Sequence, residues 1–329
     1  MIEQRPLGRT GLRVSALGFG CGAIGGLMTK GEPADQRGAV ERALAAGITY
    51  FDTARSYGDG RSETNLGRVL EELKAWDRVV VGTKFRVEPN DVGDAAGVIR
   101  RSLEGSLERL RHGWVHLFQL HNRILDRPAE GGLTADQVLG PVLDGLEKCR
   151  ADGLIRHVGI TATGDTAALT KVVTSGRFDT AQVYFNALNP SAGYGGRIDD
   201  GDQDFGGLID RAKHAGVGVI NIRPLAAGAV TARPERHANA GDPGGSLGMA
   251  GVSYTDDVAR AQTLADLSGE LGTEGPVEAA LRFVLSKDGV STVIVGYSEL
   301  GQLEDAIRWA ERGPLEPRAV ERVLSLRER

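Results

Sequence analysis

Asp52, Tyr57, Lys84 and His121 are the side chains whose types and spacing could do chemistry in this sequence. The apolar run "GITYF" stops at Asp52, and Tyr57 follows five residues later in "DTARSYGDG". A second run, "RVVVGTK", ends at Lys84, and a third, "WVHLFQLH", ends at His121. Alone, each residue has an ordinary explanation: a helix cap for Asp52, a satisfied core imidazole for His121, a packed loop aromatic for Tyr57. Together, at the same end of consecutive apolar runs, they are not explained by packing, because a buried Asp or Lys is expensive unless paired. Pairing with Asp52 would keep Lys84 charged and in place. Lys84 would in turn stabilise a phenolate at Tyr57, lowering a phenol pKa that is ordinarily about 10. A neutral His121 would donate a hydrogen bond that orients a carbonyl. Such a group suits protonation of an oxygen as hydride adds to its carbon, with Tyr57 as the acid. No Ser-His-Asp arrangement or metal-ligand spacing in the sequence competes with it.

The elements that must position these residues alternate along the chain. Apolar, β-branched runs predict strands over Ser15–Cys21, Gly47–Asp52, Arg78–Lys84, Trp114–His121, Ile155–Thr161, Thr180–Asn186, Gly216–Ile222 and Val290–Gly296. Helical period predicts helices over Ala34–Ala46, Glu63–Lys74, Ala96–Leu110, Asp136–Asp152, Leu208–Ala215 and Glu299–Ala310. Strands followed by helices read as parallel βαβ units, and near-continuous apolar strands fit a sheet buried on both faces. The fold class is therefore α/β, with a (β/α)8 barrel as the simplest closure and an open doubly wound sheet as the competitor. "PLGRTGLRVS" predicts an N-terminal β-hairpin, and "PLEPRAVERVLSLRER" an extra C-terminal helix. The long loop after strand 7, Leu225 to Tyr254, is rich in Gly, Ala and Pro and reads as a lid or binding loop. No linker divides the chain, so residues 1–329 are expected to form one domain. In a barrel, chemistry collects at the C-terminal strand ends.

Composition narrows the classes. The chain has 329 residues, 39 Lys and Arg against 44 Asp and Glu, and no block of like charge, so a nucleic-acid partner is not expected. The start is too polar for a signal peptide and no apolar run approaches a membrane span. Two cysteines, Cys21 and Cys149, form no disulfide framework. A cytoplasmic protein is expected, with no metal.

At this point the chain resembles the aldo-keto reductase family over nearly its whole length. The matching pieces are "PLGRTGLRVSALGFG", "GITYFDTARSYGDGRSETNLGRVL", "VVVGTKF", "LFQLHN", "IRHVGIT" and "VSTVIVGYSELGQLEDAI". The resemblance implies a (β/α)8 barrel that binds an extended nicotinamide cofactor, NADP with NAD as the alternative, and interconverts a small-molecule carbonyl and its alcohol. It implies Tyr57 as general acid/base, tuned by Lys84 and Asp52, with His121 orienting the carbonyl. The opening "GRTGLRVSALGFGCGAIGG" is more similar to bacterial members, some of which oxidise sugars or pyridoxal with NAD, than to animal aldose reductases.

The cofactor contacts implied by the resemblance begin at Gly20, Cys21, Gly22 and Ala23, under the nicotinamide ribose, with Asp52 beside them. Gln182 matches the glutamine that reads the carboxamide, whereas Thr161 and Ala162 stand where the family has Ser-Asn. Ile222, Arg223, Pro224 and Leu225, with Gly228 beyond, replace the family's aromatic-Ser-Pro-Leu, so the nicotinamide face would pack on an aliphatic chain. Arg223 is open to pyrophosphate, an anionic substrate or a structural ion pair. Gly296, Ser298, Gln302 and Asp305 would border the adenine end, where backbone N–H groups of the following helix could hold a phosphate. No Lys or Arg lies between Gly296 and Ile307, so strong selectivity for a 2′-phosphate is not implied. The glycine run "GFGCGAIGG" lacks phosphate-loop spacing, and "DPGGSLG" lies in the long loop. The alternative function is a nicotinamide-binding regulatory subunit with little turnover. Low aromatic content, 5%, favours a polar substrate such as a sugar or small aldehyde.

Overall fold

A computed structural model of the chain describes residues 1–194, 202–243 and 253–327. A hairpin comes first: β1 (Gln4–Pro6) pairs antiparallel with β2 (Arg13–Ser15), Gln4 opposite Ser15. Eight parallel strands then close a barrel: β3 (Leu17–Gly20), β4 (Tyr50–Asp52), β5 (Val80–Phe85), β6 (Val115–Leu120), β9 (Ile155–Ala162), β10 (Thr180–Tyr184), β11 (Gly218–Ile222) and β12 (Val290–Gly296). β12 pairs back onto β3, Gly296 opposite Gly20, so no open edge remains. The doubly wound alternative is thereby removed. Between β6 and β9 a short pair, β7 (Arg123–Leu125) and β8 (Gly132–Thr134), runs parallel beside the mouth.

Strand alternation sorts the barrel. Phe51, Val81, Phe85, Phe118 and Leu120 face out and join the large core shared with the surrounding helices. Tyr50, Val80, Leu117 and Ile220 face in, and with Leu7 and Val14 of the hairpin they form a separate apolar layer at the bottom of the barrel. The hairpin is thus a plug. Arg5 donates to Val290 O and Leu285 O at 3.2 and 3.1 Å, and the Arg9 backbone N–H donates to Gly216 O at 2.9 Å. Gly8, at φ 52°, lies so close to the barrel rim that a Cβ would stand 2.2 Å from Gly218 N. Only glycine permits that seating.

The helices largely follow expectation, with four differences. The segment expected as one helix, Asp136–Asp152, is broken: a capped turn at Ala135–Gln137 and an irregular turn at Val138–Val142 precede the helix Leu143–Ala151. Pro141 lacks an N–H and Gly140 leaves helical geometry at ψ −107°, which accounts for the break. The segment Leu225 to Tyr254 ends where helix Tyr254–Asp266 begins, capped reciprocally by Ser253 and Asp256, and a further helix, Pro276–Leu285, leads into β12. Helix Thr166–Thr174 was also without a sequence expectation. The C-terminal helix is Pro317–Leu324. Among the described residues no helix is long and apolar enough to cross a membrane.

Candidate active site

Asp52 ends β4, Lys84 lies one residue from the end of β5, and His121 follows β6 directly. All three therefore stand at the C-terminal mouth of the barrel. Tyr57 sits on the turn between β4 and helix Arg61–Glu72. That turn is held from several sides: Ser62 Oγ donates to Cys21 O at 2.8 Å and lies 2.8 Å from Thr53 Oγ1. The next residue, Glu63, is fully buried and accepts from Thr83 Oγ1 at 2.5 Å and Arg109 Nε at 2.6 Å.

Lys84 is 1% exposed, and each of its three donors has an acceptor. Nζ pairs closely with Asp52 Oδ1, and donates to Thr53 O at 2.9 Å and Tyr57 Oη at 3.1 Å. Burial works against the ammonium, yet Asp52 and Tyr57 outweigh it and the Lys84 pKa rises. The second Asp52 oxygen, Oδ2, accepts from Gln182 Nε2 at 2.5 Å, Tyr50 Oη at 3.2 Å and Gln119 Nε2 at 3.5 Å. His121 meets the Tyr57 ring edge-on, centroids 5.9 Å apart. Burial, then the charges of Lys84 and Arg86, hold its pKa well below 6.5, so it is neutral at pH 7. One expectation is corrected. Burial raises the Tyr57 pKa above 10.0, and the opposing pull of Lys84 does not reverse it.

These groups open into a cavity of about 800 Å³. Gly20, Gly22 and Ala23 border it on one side; a Cβ on Gly22 would lie 3.7 Å from the Tyr57 ring and cover it. Thr161 and Gln182 line its floor with Asp52. Gln182 gives its amide N–H to Asp52 and keeps Oε1 as an acceptor, shared with Thr161 Oγ1 at 3.4 Å. Ile222, Arg223, Pro224, Leu225 and Gly228 form the opposite wall, and Gly296, Ser298, Gln302 and Asp305 the far end. Cys21 does not line the cavity: its side chain is fully buried, and burial pushes its thiol pKa far up. Lys84 lies behind Tyr57 rather than on the wall.

At the far end several polar groups are already engaged. Ser298 donates its N–H to Gln302 Oε1 at 2.8 Å and its hydroxyl to Gly25 O at 2.6 Å. Asp305 pairs with Arg308 at 3.0 Å, and Arg308 also meets Glu274 at 2.6 Å. The first turn of helix Leu300–Glu311 has no side-chain cap. The described part of the long loop spans the cavity. Asn239 Nδ2 donates to Ser298 O at 3.0 Å, Gly241 N–H to Ile24 O at 3.2 Å, and Arg236 to Ala227 O and Gly241 O at 2.6 and 2.9 Å. "DPGGSLG", from Gly244 onward, lies outside the described residues.

Sequence reasoning passed over Tyr50, Gln119 and Arg86. Each stands two residues from a residue it did single out (Asp52, His121 and Lys84), and the two-residue period of a strand would have placed them on the same side. Arg236 lies in a segment without periodicity and left no such signal.

The surroundings fit a nicotinamide dinucleotide. One cavity is lined by both Tyr57 and Ser298, an amide acceptor stands at its floor, and a glycine keeps the ring of Tyr57 uncovered. Comparison with known proteins agrees. The model of the aldo/keto reductase family matches residues 16–328. L-galactose dehydrogenase of Arabidopsis thaliana is 30% identical over 309 residues, covering 93% of this chain and 87% of that protein. L-glyceraldehyde 3-phosphate reductase of Escherichia coli (strain K12) is 26% identical over 324 residues, with 93% and 87% covered. The solved holo form of an aldo-keto reductase from Bacillus halodurans shares the fold, with a TM-score of 0.73 at 22% identity, over 99% of this chain and 96% of that one. The chain belongs to the aldo/keto reductase family, and so to the oxidoreductases.

Proposed function

We propose that this protein interconverts a carbonyl and an alcohol on a small polar molecule, with Tyr57 as general acid and base and NADP or NAD as cofactor. The observation that carries the reading is Lys84: its ammonium is completed by Asp52, Thr53 O and the Tyr57 phenol, at the edge of a cavity that His121 also faces. The chemistry a bound nicotinamide supplies is hydride transfer to or from carbon. Gly20, Gly22 and Ala23 would hold its ribose side, Thr161 and Gln182 its carboxamide, and Ile222 its ring face. The wall from Arg223 through Leu225 and Gly228 would run beside the phosphates, with Gly296, Ser298, Gln302 and Asp305 at the adenine end.

In reduction, neutral His121 donates to the carbonyl oxygen and fixes its direction. Tyr57 then delivers its proton to the same oxygen as negative charge develops there. The phenolate left behind is met by an ammonium already 3.1 Å away, so no group must move to receive the charge. Asp52 keeps Lys84 in register, and Gln182, Tyr50 and Gln119 keep Asp52 in register. Oxidation uses the same groups in reverse, with Tyr57 as phenolate accepting the alcohol proton.

The pKa directions set the pH dependence. Tyr57 keeps its proton beyond pH 10.0 and His121 stays neutral to well below pH 6.5. The kcat/KM for reduction is therefore expected to be level across that interval and to fall on its alkaline side. Oxidation, which needs the phenolate, is expected to rise towards alkaline pH. A stopped assay across pH 5–11 with a stable carbonyl substrate reads both limbs; a reduction rate that halves near pH 7 would contradict the assignment.

Cofactor preference follows from the far end of the cavity. Arg308 is committed to Asp305 and Glu274, and a 2′-phosphate would find no Lys or Arg between Gly296 and Ile307. NADPH and NADH are expected to bind within about tenfold of each other, since a charge-assisted phosphate contact would be worth more than that. Fluorescence titration measures both constants. The test of the function itself is that titration followed by turnover on aldehydes, ketones and sugars. Binding without turnover across the panel would leave a nucleotide-binding protein that lacks the proposed activity.

A further inference from the structure

We infer that the substrate of this site carries an anionic group, a phosphate or a carboxylate, held by Arg86 across the cavity from Arg223. The inference rests on Tyr57 and His121 marking the carbonyl end.

Arg86 is the first residue after β5, two beyond Lys84, and the strand period turns it towards the cavity, whose wall it lines. It is exposed and makes no hydrogen bond or ion pair among the described residues. Its charge is felt at His121, which places it at the reacting end rather than at the adenine end. Arg223 approaches from the opposite wall. Its backbone is left-handed, at φ 59°, a conformation uncommon for a residue with a long side chain. That geometry is fastened by Asn186 Nδ2 and Ala226 N–H, both donating to Arg223 O at 3.0 Å. Burial lowers the Arg223 pKa, and its field reaches Tyr57.

The carboxylates lining the same cavity are placed elsewhere. Asp52 is spent on Lys84, and Asp305 on Arg308. Glu235 and Asp242 flank the segment docked on Ile24 and Ser298. Among the described residues Arg86 is therefore left with its charge open at the mouth, beside the imidazole that orients the carbonyl. A neutral sugar would leave that guanidinium hydrated. A phosphate or carboxylate on the chain that bears the carbonyl would meet it in a bidentate contact and be steered into the cavity by it.

The test uses the NADPH-loaded enzyme and substrate pairs that differ by the anion: glyceraldehyde 3-phosphate against glyceraldehyde, neither of which closes a five-membered ring, and succinic semialdehyde against butanal. At low ionic strength kcat/KM is expected to favour the charged member by about tenfold or more, as a charge-assisted contact would. Added salt shrinks the preference. The pair with the larger ratio identifies the anion. Arg86→Gln is expected to remove most of that ratio through KM, and Arg86→Lys to restore part of it. Equal rates within both pairs, or a ratio untouched by Arg86→Gln, would overturn the inference while leaving carbonyl reduction intact. Calorimetric titration of the same holoenzyme with 3-phosphoglycerate, an unreactive probe, reads the anion contact without turnover. Arg86-dependent binding with no turnover of any carbonyl would sustain the anion site and sink the oxidoreductase reading instead.

Discussion

Tyr57→Phe is expected to lower kcat for carbonyl reduction by about 10²–10⁴, the range for loss of a positioned acid, with cofactor affinity changed less than about twofold. The substitution deletes one oxygen. That oxygen accepts from Lys84 at 3.1 Å and belongs to a ring that contacts His121 edge-on. Phenylalanine preserves the ring and the turn, so the fold and the walls of the cavity remain. Among the described residues of the tetrad, the proton donor left to face the carbonyl would be His121, whose imidazole is neutral and a weak acid. Single-turnover rates with pre-bound NADPH isolate the step. A Tyr57→Phe enzyme within tenfold of wild type would remove Tyr57 from the chemistry and make His121 the donor to examine.

Asp52→Asn is the second large effect, and it strikes stability and catalysis together. Asn keeps the shape but removes the charge opposite an ammonium that is 1% exposed. Breaking one half of a buried pair costs about 3–5 kcal/mol, because the other half is left uncompensated. For a chain of this size that is a fall in Tm of roughly 4–7 °C. Lys84 would respond by losing its proton. A neutral amine gives no support to the Tyr57 phenolate, so activity should fall with stability. Asp52→Asn combined with Lys84→Met tests the reason. The double variant is expected to recover at least half of the lost Tm, and none of the activity. Equal melting of the single and double variants would show that the ion pair is not what the single change disrupts.

Much of the candidate site is legible in the sequence, which marks it by contrast. Asp52, Lys84 and His121 each terminate a run of apolar residues, and a barrel brings the ends of such runs to one rim. Tyr57 was legible through its distance from Asp52. What escaped was of two kinds. Tyr50 and Gln119 sit inside apolar strands, where a phenol and an amide look like isolated exceptions until a carboxylate is seen to collect them. The helix at Tyr254–Asp266 was hidden by the Gly- and Pro-rich run before it, although Ser253 and Asp256 form a reciprocal cap readable in the sequence. The break at Pro141 was missed because helical period on either side outweighed a single proline. The direction of the Tyr57 shift could not be read at all. It depends on how much water the turn excludes, and that is a property of packing.

The plug at the bottom of the barrel also dictates an order of assembly. Leu7 and Val14 precede every barrel strand in the chain, yet the layer they complete needs Tyr50, Val80, Leu117 and Ile220. Arg5 and Arg9 reach partners as far along the chain as Val290 and Gly216. β3, next in line, waits for β12 before it has both neighbours. The hairpin, made before the barrel strands, is thus expected to be seated after them, together with ring closure, since both need contacts far apart in sequence. Until then the inward face of a nascent half-barrel stands open, and that interval is where this chain is most exposed to association with its own copies.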